Sequence, residues 1–130
     1  MHAADTNVVI RYLVADDAAQ SARARALIDA GPVWLGLTVL LECEWVLRSA
    51  YGLPRTAIVG ALRTLAGQDN VQVENPAVLR RALDVCEAGM DFSDALHVCC
   101  TEGAAEAFWT FDAGLVKQAQ RLGVESVCAL

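Results

Sequence analysis

Five short apolar runs punctuate the chain: Met1–Ala4, Val33–Gly36, Val71–Glu74, Ala107–Phe111 and Ser126–Ala129. Every interval between them carries a helical pattern. Strands connected through helices lie parallel and need helices on both faces of the sheet to bury it. This order predicts an α/β domain of three layers, α/β/α, with a mainly parallel sheet. At 130 residues the chain fits a single domain, residues 1–130, with no repeat, low-complexity tract or linker.

The helical intervals are marked by their ends. After Asp5-Thr6-Asn7, the apolar residues Val8, Val9, Tyr12 and Leu13 recur at helical spacing until Asp16-Asp17. Residues 17–30 form a second helix stopped by Gly31-Pro32. Thr38 is a plausible N-cap for a helix running to about Tyr51-Gly52. Pro54 and Pro76 suit first helical turns, with the helices closing near Gly67 and Gly89. Asp91-Phe92-Ser93-Asp94 opens a helix up to Gly103, and Asp112 begins the last one, through Leu122-Gly123.

Bulk properties exclude several classes. The net charge of −6, with nine arginines and Lys117 the lone lysine, argues against a protein that holds nucleic acid by overall charge. A site working through metal ions and a few arginines is still open. The longest dense apolar run, Val33 to Leu41, is about half the length of a membrane span. With no basic, apolar leader behind Met1, a cytoplasmic protein without membrane attachment is expected. The five cysteines, Cys43, Cys86, Cys99, Cys100 and Cys128, lack C-x-x-C spacing and have only His2 and His97 as partners, so a zinc module is not expected. Four of them lie in apolar surroundings, which suits buried, reduced thiols.

Chemistry, if present, must come from carboxylates. Asp5 and Asp112 each follow an apolar run and precede a helix. In parallel sheets, ligands and catalytic groups collect at that carboxyl edge. Asp94 lies one turn into its helix, with Asp91 three residues earlier on the same face. Each acid alone reads as a helix cap, and Asp91 with Asp94 as a capping box. Several gathered at one rim would repel one another, and a divalent ion with oxygen ligands, Mg²⁺ or Mn²⁺, is the usual remedy. Glu42 and Glu44 share an apolar helix and point about 160° apart, so one of them can face the rim. Glu44 has Arg48 four residues on as an ion-pair partner, whereas Val46 stands at that distance from Glu42. On the expectation that both are embedded among apolar residues, the unpaired Glu42 is the functional one.

Asp5-Thr6-Asn7, Glu42 in a helix continuing through Trp45-Val46-Leu47-Arg48, Asp91-Phe92-Ser93-Asp94-Ala95 and Thr110-Phe111-Asp112 together resemble a PIN-domain ribonuclease. Within that family the chain is most similar to VapC-like toxins of bacterial type II toxin–antitoxin pairs. The likeness spans the whole chain, with the motifs in order and in register. It implies a five-stranded parallel sheet and an acidic Mg²⁺ or Mn²⁺ site of Asp5, Glu42, Asp94 and Asp112, with Asp91 accessory. Thr6, Asn7 and Thr110 match the supporting polar positions. It further implies an RNA substrate, a homodimer and inhibition by a cognate antitoxin protein. No core acid of the pattern is missing.

Such a site would hydrolyse RNA phosphodiester bonds with metal assistance. Arg11, Arg48, Arg55 and Lys117 are the candidates for holding RNA, each also readable as a solvated surface charge; Arg23, Arg25, Arg80 and Arg81 read as solvated helix faces. His97 is expected to pack at a half-buried helix position, and Trp34, Trp45 and Trp109 to make core or dimer contacts. Two rivals compete. A haloacid-dehalogenase-like phosphatase wants a second Asp where Asn7 stands and a downstream lysine, for which Lys117 is the sole candidate. A PIN-like protein-interaction module without nuclease activity would use the same acids for folding.

Overall fold

A computed structural model describes residues 1–130. The order of elements is β1 (His2–Ala3), α1 (Thr6–Leu13), α2 (Ala18–Ala30), β2 (Val33–Leu35), α3 (Leu37–Ser49), α4 (Arg55–Ala66), β3 (Val71–Val73), α5 (Pro76–Glu87), α6 (Phe92–Thr101), β4 (Phe108–Thr110), α7 (Ala113–Arg121) and β5 (Val127–Ala129). The fold is α/β, with every strand pair parallel. Two compact units divide it, Met1–Pro76 and Ala77–Leu130.

In the first unit the strands lie in the order β1-β2-β3. His2 and Ala3 stand opposite Val33 and Trp34, and Val33 and Leu35 opposite Val71 and Val73. In the second, β4 pairs with β5, Phe108 opposite Val127 and Thr110 opposite Ala129. The expected five-stranded sheet is thus hydrogen-bonded as three strands plus two. The strands are two or three residues long, and β1 makes its ladder with β2. His2 and Ala3 are exposed, in contrast to the expected buried first strand, because β1 has an outer position in its sheet.

Local chemistry explains most helix starts. Asp5 caps α1 by accepting from Val8 N at 3.1 Å, and Asp17 caps α2 by accepting from Gln20 N at 3.0 Å. Pro54 precedes α4, and Pro76 opens α5. α3 departs from the expected Thr38 cap: it begins at Leu37, and its cap residue is Gly36, which offers no side-chain bond. A Cβ at Gly36 would press on the Trp34 ring at 3.3 Å, so the turn from β2 into α3 is sterically tight. Gly31, with φ of +21°, ends α2 where any side chain would collide with Asn70. Asn70 in turn donates its side-chain amide to the Ile28 carbonyl.

The buried stripe of α3 is Leu37, Leu40, Cys43, Glu44 and Leu47, a helical i, i+3, i+4 spacing. In the first unit it joins fully buried Val9, Ile28, Val33, Leu35 and Leu62. The second unit buries Leu79, Leu83, Met90, Phe92 and Ala95.

Candidate active site

In the first unit, Asp5 stands exposed where β1 turns into α1. One carboxylate oxygen holds the cap bond to Val8 N. Glu42 projects from α3 and is also exposed, contrary to the expectation of burial. The buried stripe passes on the other side of α3 and takes in Glu44 instead, which is 6% exposed. Glu44 accepts from Arg48 Nε at 2.9 Å, so the expected ion pair forms and the buried acid is the partnered one. The argument for Glu42 from the cost of an unpaired buried acid therefore fails. The Cys43 thiol, fully buried, is pushed up to about 12, first by burial and then by the negative charges of Glu42 and Asp5. Both carboxylates thus act on one buried atom, which lies 4.0 Å from the Thr6 carbonyl oxygen. Thr6 is buried, and Asn7 is exposed beside it.

In the second unit, Asp91 caps α6 by accepting from Asp94 N at 3.3 Å. Asp112 caps α7 by accepting from Leu115 N at 3.0 Å, and its own N–H donates to Thr110 Oγ1 at 3.0 Å. Asp94 is half-buried in the first turn of α6. Its carboxyl is raised above the ordinary range, first by burial, then by the negative charges of Asp91 and Asp112, with His97 opposing. Three acids therefore share one local field. A cleft of about 460 Å³ carries Asp94 and Asp112 on its wall together with Lys117, Gln118 and Arg121 from α7. His97, expected to be half-buried, is exposed, one turn beyond Asp94 on α6.

The four RNA-binding candidates fall in different surroundings. The Arg11 guanidinium donates to Gln20 Oε1 at 2.7 Å, Asp16 Oδ1 at 3.0 Å and the Tyr51 hydroxyl oxygen at 3.2 Å. It also borders a cleft of about 380 Å³ with Asn7 and Arg23. Arg48 is bound to Glu44. Arg55 is exposed in the first turn of α4. Lys117 shares its cleft with Asp94 and Asp112. Arg121 lies on the same wall and was not singled out from the sequence; its place four residues after Lys117 on one helix is the signal that could have found it. Arg25 sits 5.5 Å from the centroid of the Tyr12 ring, and Arg81 pairs with Glu102 at 3.5 Å, so neither is simply solvated. Trp45 and Trp109 are 57% and 60% exposed, which excludes both from the core.

The donor set suits a hard divalent ion. Every candidate ligand is a carboxylate oxygen, and a nearby cation would oppose both the burial and the like charges of Asp91 and Asp112 that raise the Asp94 carboxyl. No three acid, histidine or cysteine side chains of the chain are gathered into a metal-holding group. No curated protein matches the chain. Residues 3–121, nearly the whole length, match the PIN domain family. With a parallel α/β fold and acids at the starts of α1, α6 and α7, the chain belongs to the PIN domain family.

Proposed function

We propose that this protein is an endoribonuclease dependent on Mg²⁺ or Mn²⁺, one PIN domain over residues 1–130. PIN domains are generally nucleases, and PIN nucleases usually use these ions. The single observation that carries the reading is the cleft that Asp94 and Asp112 share, in which Asp94 is raised first by burial and then by the charges of Asp91 and Asp112.

Asp5, Glu42, Asp94 and Asp112 would hold the ion, with Asp91 as an accessory acid. Bound there, the ion would supply an acidified water and positive charge for the phosphodiester. One of the carboxylate oxygens accepts the proton of the attacking water. Thr110 steadies Asp112 through the bond from its backbone N–H. Thr6 and Asn7 stand on the first turn of α1, and would orient the neighbourhood of Asp5.

The same reading makes the protein a cytoplasmic, VapC-like toxin, homodimeric and inhibited by a cognate antitoxin protein. No helix is long and apolar enough to cross a membrane. The test is cleavage of RNA in Mn²⁺, abolished by EDTA and by Asp94→Asn in a folded protein. Mapping new 5′ ends of cellular RNA after induction, beside Asp5→Asn, tests the toxin role. The absence of new ends counts against it.

A second reading has one observation in its favour: Asp5, Asp91 and Asp112 each already serve as helix caps. An interaction module using its acids for folding alone predicts no Mn²⁺ binding. Calorimetric titration of Mn²⁺ into wild type and Asp94→Asn separates the two readings, since heat lost in the variant excludes the module.

A further inference from the structure

Asp94 and Asp112 share their cleft with two cations, Lys117 and Arg121. These lie one turn apart on α7, on the same side of the helix and about 6 Å apart along its axis. Neither makes an ion pair with any acid of the protein, although the chain is acidic overall. Arginines elsewhere are differently placed: Arg11, Arg48 and Arg81 each hold an acid. Two unpaired cations lining the wall of an acidic cleft are placed to hold anions brought there.

Immediately before Asp112 stands Phe111, 83% exposed. It lies between β4 and α7, and its neighbour Thr110 is tied back to Asp112. The hydrogen bonds made by Thr110 and Asp112 fix the turn on which Phe111 is carried. A phenyl ring left in water on a held turn offers a flat apolar face to a flat apolar ligand. Bases of a single strand present such faces, whereas in a duplex they are stacked on one another.

We propose that Phe111, Lys117 and Arg121 form a track that receives single-stranded RNA beside Asp94 and Asp112, Phe111 stacking on a base and the two cations holding successive phosphates. This rests on the nuclease reading and adds three side chains outside the acid cluster that hold the strand. None of the three is asked to take part in bond cleavage.

The test reads binding rather than cleavage. A fluorescein-labelled single-stranded RNA and its duplex are titrated with protein in EDTA across a range of salt, following anisotropy. Wild type should bind the single strand more tightly than the duplex. The Lys117→Ala/Arg121→Ala double variant should flatten the slope of log K against log salt by about 1.4, from two phosphate contacts at about 0.7 each. Phe111→Ala should weaken single-strand binding about tenfold and leave the slope unchanged. Arg80→Ala, which removes an exposed charge on α5 outside this cleft, should change neither. All four side chains are exposed, and circular dichroism checks that the variants fold.

A double variant with the wild-type slope, equal affinity for duplex, or a wild type that ignores RNA while Phe111→Ala breaks its association with another protein overturns the track. Single-strand binding as described without any cleavage in Mn²⁺ refutes the nuclease reading and leaves the track standing. Cleavage in Mn²⁺ with an unaltered slope in the double variant does the reverse.

Discussion

Asp5 has two roles that one pair of substitutions separates. As the cap of α1 it accepts a hydrogen bond from Val8 N at 3.1 Å, and as a proposed metal ligand it contributes charge. Asn ranks with Asp at an N-cap and retains the acceptor oxygen, so Asp5→Asn should change stability by no more than about 0.5 kcal/mol. Ala removes the acceptor, which costs about 1 kcal/mol. For 130 residues, an unfolding entropy of about 2.1 cal/mol/K per residue turns 1 kcal/mol into about 4 °C of Tm. The expected result is therefore a Tm near wild type for Asp5→Asn and about 4 °C lower for Asp5→Ala, with RNA cleavage in Mn²⁺ lost in both. Asp17→Ala supplies the control. It breaks the equivalent bond to Gln20 N, made at 3.0 Å, and should lower Tm by a similar amount while cleavage persists. Scanning calorimetry and a gel assay on the same preparations read both quantities. Retained cleavage in Asp5→Asn would falsify the ligand role, and equal Tm losses in Asn and Ala would refute the cap reasoning.

Arg48→Ala should destabilise the protein by about 1–2 kcal/mol, because it leaves the Glu44 side chain, 8% exposed, without its guanidinium. The figure is below that for a fully buried pair because Arg48 itself is 49% exposed, and urea unfolding measures it. RNA affinity of this variant should stay at the wild-type level in the anisotropy assay. Among the cysteines, Cys100 is exposed and should react with iodoacetamide first in the native protein, as mass spectrometry of timed samples would show. Cys99 should resist, being buried and pushed up to about 11 by burial and then by Glu102. The Arg11–Asp16–Tyr51 tie should give stability a two-sided pH dependence. Asp16 is held below its ordinary 3.8 by the Tyr51 hydroxyl, so its contribution is present above that pH and lost as pH falls through the lowered value. Tyr51 is raised above its ordinary 10 by Asp16, so its contribution is present below that pH and lost as pH rises through the raised value. Tyr51→Phe should remove the alkaline limb in Tm measurements.

What could be read from the sequence was mostly local. A cap acts on backbone groups two or three residues away, so Asp5 before α1 and Pro54 and Pro76 before or within first turns were visible without any tertiary information. The strands could be placed within a residue or two because each is a short apolar run between breakers. What failed depended on direction. α3 is apolar on most sides, so the sequence did not say which side is buried, and Glu42 was placed inside when the stripe takes Glu44. His97 erred the same way on α6, where the buried stripe is Phe92, Ala95, Leu96, Val98 and Cys99. The Thr38 cap failed because a steric limit, the Trp34 ring against Gly36, sets the turn into α3. The ties of Arg11 to Gln20 and Tyr51, 9 and 40 residues away, carry no local mark in the sequence.

The acids at helix starts were more legible than the packing for a physical reason. An acid that must reach a ligand from the start of a helix is also an acid that satisfies that helix's free N–H groups, so its position is marked twice. Asp5, Asp91 and Asp112 are all of this kind. Each cap bond engages one carboxylate oxygen, so a cap can hold a ligand through the other without reorganising its helix. Asp94 and Glu42 lack the cap mark; spacing from Asp91 marks the first, and the missing partner four residues on marks the second. They also separate the two readings of the site. Caps alone would leave Asp94, raised first by burial and then by the charges of Asp91 and Asp112, with no structural return. Replacing Asp94 with Asn should then stabilise the ion-free protein, since it removes repulsion and breaks no side-chain bond. A rise in Tm in EDTA, together with loss of the shift that Mn²⁺ gives wild type, is the outcome a cation site requires. A fall in Tm in EDTA would mean that Asp94 is kept for folding.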